Sequence, residues 1–239
     1  MTKLQVKHPF FMLNPKSYLY GEELLELAKV ADELAAKHPI SVFVTAPFAD
    51  LAAIKAATEH VIVTAQHIDG IEPGRGMGHV LPESIHAAGA RATFLNHAER
   101  ALSFADLVKA MERADELGIL TVVCADSLKE AKAIATLKPD IILCEPTELI
   151  GTGQTSGEEY ITKTNQAIKE VDSSILVMQA AGISTANDVY QTISLGADGT
   201  GCTSGIVKAD NPKQMLIDMV EAAVKANNES YNQAKNKRI

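Results

Sequence analysis

Hydrophobic and polar positions along the chain switch between two periods, and the switch repeats through eight pairs of segments. Short apolar runs read as strands, and longer stretches with apolar residues at i, i+3 and i+4 read as amphipathic helices. The first pair is a strand at Phe10 to Leu13 and a helix at Glu22 to Lys37. Ile40 to Thr45 and Ala49 to Ala57 form the second. Val61 to Ala65 is the third strand, and a glycine-rich connection, Asp69 to Gly78, separates it from a helix starting near Pro82. Ala92 to Leu95 and Ser103 to Leu117 make the fourth pair. Leu120 to Cys124 leads into a helix beginning at Ser127, where SLKE has the spacing of a capping box. The sixth strand, Ile141 to Leu143, precedes a helix at Glu158 to Glu170. Ser174 to Gln179 and Thr185 to Leu195 follow, the latter with Asp188 three residues after a threonine cap. Last come a weak strand at Gly199 to Cys202 and a helix from about Pro212 to Ala226, then a polar tail expected to fray.

Eight strand–helix units of about thirty residues, with no linker and no low-complexity segment, predict a single (β/α)₈ barrel domain over residues 1–239. The weak point is GTGC, a poor strand sequence. An open doubly wound sheet is the alternative; it would carry a glycine-rich fingerprint after the first strand, and LNPKSY is not one.

Charge narrows the partners. A net charge of -8 with a pI near 5.4 gives no general attraction to nucleic acid or to an anionic membrane surface. An anionic ligand would have to be held by backbone N–H groups and one or two local lysines. Three widely spaced cysteines, Cys124, Cys144 and Cys202, form no CxxC pair and support neither a disulfide framework nor a zinc site. The N-terminal residues contain no apolar run of signal or membrane-spanning length, so a cytoplasmic protein is expected.

In a barrel the site is built at the C-terminal ends of the strands. Asn14 and Lys16 follow the first strand, Gln66 and His67 the third, and Asn96, His97, Glu99 and Arg100 the fourth. Glu145 follows the sixth, Ala181, Gly182 and Ser184 the seventh, and Thr203, Ser204 and Gly205 the eighth. A carboxylate leaving a buried strand is partly desolvated and faces whatever binds there. Pro146 stiffens that exit, and the segment from Thr147 to Ser156, with Gly151 and Gly153, has the composition of a loop that closes over a ligand. Glu145 therefore reads either as a base followed by a lid or as a solvated cap of the next helix.

This constellation resembles the triosephosphate isomerase family over nearly the whole chain. NPK (Asn14 to Lys16) is similar to its Asn-x-Lys, AQHIDGIEPGRGMGHV (Ala65 to Val80) to its third loop, and LNHAER (Leu95 to Arg100) to its histidine motif. EPTELIGTG (Glu145 to Gly153) resembles its base and lid, and AAGIS (Ala180 to Ser184) and SGIVKA (Ser204 to Ala209) its phosphate loops; their form is closest to the compact archaeal-type branch. The resemblance implies interconversion of dihydroxyacetone phosphate and glyceraldehyde 3-phosphate. It makes Glu145 the base, His97 the electrophile, Lys16 the charge stabiliser and Asn14 a donor to substrate oxygen. His97 would be held neutral by the helix N-terminus beside it, an effect for which this family is the usual illustration. Backbone N–H groups near Gly151, Gly153, Gly182, Ser184, Ser204 and Gly205 would hold the phosphate. No metal or organic cofactor is called for, and the third loop implies a homo-oligomer, dimeric or tetrameric. Glu99 would support the helix start beside Arg100, and His67, His79 and His86, which lack such partners, would have structural or surface roles.

Four positions depart from the family pattern: Pro15 where an aromatic is usual, Ala98 for serine, Ala180 for glycine, and Thr200-Gly201 for larger apolar residues. They motivate a second reading, a sister aldose-ketose isomerase for another short sugar phosphate. A third, a phosphate-binding barrel without turnover, has no need of a base.

Overall fold

The computed structural model describes residues 1–146 and 157–236, without the side chains of 234–236. The expected lid from Thr147 to Ser156, including Gly151 and Gly153, lies outside the described residues. Eight parallel strands close into a barrel in chain order: β1 (Phe10–Leu13), β2 (Ser41–Ala46), β3 (Ile62–Ala65), β4 (Ala92–Leu95), β5 (Leu120–Ala125), β6 (Ile141–Cys144), β7 (Leu176–Gln179) and β8 (Gly199–Cys202). Around them lie α1 (Gly21–Lys37), α2 (Leu51–Ala57), α3 (Pro82–Ala87), α4 (Phe104–Leu117), α5 (Leu128–Ala135), α6 (Glu158–Val171), α7 (Ala186–Ser194), α8 (Ser204–Val207) and α9 (Pro212–Asn236).

Apart from Leu176 at the start of β7, every strand residue is buried, because the packed barrel interior lies on one face and the helix layer on the other. In β1, Phe10 and Met12 join Phe43, Phe94, Leu143 and Met178 inside the barrel, while Phe11 and Leu13 pack outward on the helix layer. The two-residue side-chain period thus divides one core into two.

The glycines of β8 are explained by its neighbours. It pairs with β1, Gly199 opposite Phe10 and Gly201 opposite Met12. A Cβ on Gly199 would lie 2.3 Å from the Phe10 ring, and one on Gly201 2.6 Å from the Met12 carbonyl oxygen and 2.7 Å from the Met178 methyl. Large side chains from β1 and β7 fill the space, so the closing strand carries none. Thr200 instead donates its hydroxyl to the Gln179 carbonyl at 2.7 Å.

Two local expectations change. Ser127 accepts the Glu130 N–H, but the Glu130 carboxylate accepts from Asp126 at 2.7 Å, one residue too early to complete the capping box. At Thr185 and Asp188 both reciprocal bonds form. The polar tail is helical: α9 runs to Asn236, held against α7 by the Tyr190 hydroxyl donating to Glu229 at 2.5 Å and by the Lys225 ammonium 5.5 Å from the Tyr190 ring centre. Its polarity is that of a helix with one packed stripe. Among the described residues no helix is long and apolar enough to cross a membrane.

Candidate active site

β6 fixes the carboxylate. Before it, Asp140 accepts from the Thr121 backbone at 2.8 Å and from the Lys3 ammonium at 2.6 Å, which anchors the strand entry. After it, the Glu145 N–H donates to the Ala125 carbonyl at 3.0 Å, carrying the β5–β6 ladder one residue past the strand. Alternation then turns Glu145 to the same side as Leu143, into the cavity at the barrel mouth. Burial raises the Glu145 pKa above the usual 4.5; Lys16 pulls it back and Glu99 adds to the rise.

Lys16 sits in the left-handed backbone region at φ 51°, a conformation that costs a non-glycine residue about 1 kcal/mol or more. Two bonds hold it there: its N–H donates to the Asn14 side chain at 3.1 Å, and its carbonyl accepts from the Gln66 amide at 2.7 Å. Asn14 is set in turn by its N–H to the Cys202 carbonyl at 3.2 Å. The hydrogen bonds on either side of Pro15 therefore belong to Asn14 and Lys16, and Pro15 itself accepts the Tyr18 N–H at 3.0 Å. The Lys16 ammonium lies 2.6 Å from the Glu99 carboxylate.

His97 follows β4 in a tight turn closed by the Arg100 N–H to its carbonyl at 2.7 Å. Its Nδ1 accepts the Glu99 N–H at 3.1 Å, which leaves the proton of a neutral ring on Nε2. Burial lowers the His97 pKa below 6.5, and Lys16 lowers it further against the opposing pull of Glu99. This revises the expected cause: α4 begins only at Phe104, so the N–H on His97 comes from the turn and not from a helix N-terminus. Glu99 likewise pairs with Lys16, while Arg100 reaches Asp69 at 3.6 Å. Asn96, beside His97, is structural, donating to the Cys124 carbonyl at 3.1 Å and accepting the Leu102 N–H at 3.0 Å.

The turns after β7 and β8 close the other side. Gly182 has φ 71°, a conformation glycine adopts without steric cost. A Cβ on Gly205 would lie 2.8 Å from both the Cys202 sulfur and the Ser184 carbonyl oxygen, so the two turns pack through this glycine. The N–H groups of Ser184 and Thr185 both donate to Asp188, at 3.0 and 2.8 Å. That corrects one expectation, because the Ser184 N–H is committed to the α7 cap and does not face the cavity.

Asn14, Lys16, His97, Glu145, Gly182 and Ser204 line one cavity of about 220 Å³; Ser184 and Gly205 stand behind its wall. Two further lining residues, Tyr18 and Lys208, went unassigned in the sequence. Each follows a recognised motif residue, Tyr18 two positions after Lys16 and Lys208 one helical turn after Ser204. Cys124 is buried behind the site, and burial raises its thiol pKa well above the usual value.

Fold and site together define a (β/α)₈ barrel equipped for acid–base chemistry at the C-terminal ends of its strands. The triosephosphate isomerase family model matches residues 9–223. A Methanobacterium bryantii triosephosphate isomerase is 39% identical over 217 residues, 89% of this chain and 96% of its own length. The Sulfurisphaera tokodaii protein of the same name is 36% identical over 226 residues, 92% and 98% of the two chains, and that of Methanopyrus kandleri 38% over 218 residues, 89% and 96%. The chain belongs to the triosephosphate isomerase family.

Proposed function

We propose that this chain interconverts dihydroxyacetone phosphate and glyceraldehyde 3-phosphate. The observation that carries the reading is a desolvated carboxylate, Glu145, in one cavity with a neutral imidazole, His97, and an ammonium, Lys16. The Glu145 carboxylate takes a proton from C1 of the ketose phosphate as electrons move onto the carbonyl oxygen. Its raised pKa makes it a stronger base than an exposed glutamate, and a positioned base contributes roughly 10²–10⁴-fold in rate. His97 donates the Nε2 hydrogen bond to the enediolate oxygens. As a neutral donor it is close to them in proton affinity, which suits sharing of charge in the transition state. Lys16 and the Asn14 amide stabilise the developing charge from the other side. Through Nε2, His97 moves the hydroxyl proton on the C1 oxygen to the C2 oxygen while Glu145 returns its proton to C2, which leaves a carbonyl at C1 and a hydroxyl at C2 in the aldose phosphate. All proton movement uses side chains of this chain, so the reaction as written needs no metal or organic cofactor.

Backbone donors near Gly182, Ser204 and Gly205 hold the phosphate, joined by Gly151 and Gly153 of the lid; Ser184, whose hydroxyl donates to the Gly182 carbonyl at 3.1 Å, contributes by shaping its turn. Residues 1–239 act as one domain. The three cysteines, all free and buried, support a cytoplasmic setting. Met77, fully exposed at the tip of the Asp69 to Gly78 loop, and exposed Phe48 beside the mouth support a homo-oligomer, dimer or tetramer. Light scattering tests that assembly, and a fully active monomer would refute it.

A coupled assay on both triose phosphates, run beside Glu145→Gln, tests the reaction. Fast turnover by the parent with loss of about 10²-fold or more in the variant is expected. A parent silent on both trioses would overturn the proposal.

A further inference from the structure

We propose that Lys208 is a second cation, beside Lys16, that draws the phosphate end of the substrate into the cavity and retains it there. The inference rests on the reaction just proposed and assigns a residue that the reaction leaves unused. Charge accounting around the cavity carries it. Four charged side chains line the space: Lys16, Glu99, Glu145 and Lys208. Lys16 lies 2.6 Å from Glu99, so part of its charge is already met before an anion arrives. Glu145 must be ionised to act as a base, and it repels a phosphate dianion. On a chain with net charge -8 the general field opposes entry as well. Lys208 is the cation left over, with no ion-pair partner among the described residues.

Its position suits the task. Lys208 ends α8, and its N–H donates to the Ser204 carbonyl at 3.1 Å, one turn beyond the residue expected to meet the phosphate. It is exposed on the rim on the β8 side, while the base stands at the end of β6. A charge there attracts the phosphate without sitting over the carbon whose proton is removed. The commitment of the Ser184 N–H to Asp188 removes one backbone donor from the same side, which leaves more of the phosphate charge for a side chain to meet.

Because the group is exposed, its effect falls in the range of a solvated ion pair. Lys208→Ala is expected to raise KM for glyceraldehyde 3-phosphate about three- to fivefold with kcat unchanged. The decline of kcat/KM with ionic strength should flatten, since part of that decline is the screening of this charge. Lys208→Arg should restore both, and turnover of unphosphorylated glyceraldehyde should be equal in parent and Lys208→Ala. Unchanged KM and salt dependence in an active Lys208→Ala protein would overturn the proposal, as would a fall confined to kcat. Calorimetric titration with inorganic phosphate separates this inference from the reaction. If the parent is silent on trioses yet binds phosphate more tightly than Lys208→Ala, the reaction fails and Lys208 stands. If the two proteins bind phosphate equally, or neither binds it, the Lys208 assignment fails.

Discussion

His67 and His97 leave neighbouring strands at the same mouth, and each has a carboxylate and a cation close by. Around His67 these groups satisfy one another. Its Nε2 lies 3.0 Å from Asp69, which also accepts the Val80 N–H at 2.6 Å and lies 3.6 Å from Arg100. The imidazole is only 2% exposed, so the cluster is a closed clamp on the 69–80 loop. Around His97 the carboxylate goes to the lysine instead, and the ring receives only a backbone N–H on Nδ1. Nε2 is left toward a cavity with a second, desolvated carboxylate across it. Similar ingredients give a strut in one case and a reactive centre in the other. What separates them is which donor and which base remain unspent.

The widest gap is expected between the two histidines themselves. His97→Gln should lower kcat by about 10²–10⁴-fold, whereas His67→Gln should spare kcat and lower stability; steady-state kinetics with equal losses in both would erase the distinction. Next, Asp69→Asn should cost roughly 1–3 kcal/mol in denaturant unfolding, because the His67 ring loses its charged partner in a buried place. A variant of unchanged stability would show that the clamp holds nothing.

A third difference appears with pH. As pH falls, kcat/KM should drop through the pKa of Glu145, which burial holds above 4.5, because only the ionised form accepts a proton. Both imidazoles should be more than half neutral at pH 6.5, since burial lowers each pKa below that value. A pH–rate profile with an acid limb at or below 4.5, or NMR signals showing either ring half-protonated at 6.5, would contradict this. The smallest effect belongs to Ala98→Ser, in the turn between His97 and Glu99. A change within about 0.5 kcal/mol, or twofold in kcat, is expected there, and a larger gain would make Ala98 a determinant of rate.

Most of the architecture could be read from the chain, because buried parallel strands and amphipathic helices have different periods. The residues at the strand ends then followed from position alone. What escaped depends on partners distant in sequence. GTGC looked like a poor strand since nothing within it reveals that Phe10, Met12 and Met178 occupy the space its side chains would need. The tail looked unstructured because the group that holds it, Tyr190, lies 39 residues before Glu229. Glu99 was assigned to its own helix although its partner, Lys16, is 83 residues away. The donor to His97 escapes the sequence because nothing in LNHAER shows that the chain turns back at once and brings the Glu99 N–H onto the ring, several residues before α4 begins. Even the commitment of the Ser184 N–H, only four residues from Asp188, required seeing which of two roles the cap had taken.

The seam between β1 and β8 bears on how the chain is made. The barrel's first strand has its second neighbour only after Cys202 has been synthesised, so during translation one edge of β1 stands open while about two hundred residues are added. Phe10 and Met12 meanwhile lack the glycine strand that later lies against them. A chain halted before Gly199 lacks the strand that closes the barrel, and the addition of four small residues gives β1 its second neighbour and covers Phe10 and Met12.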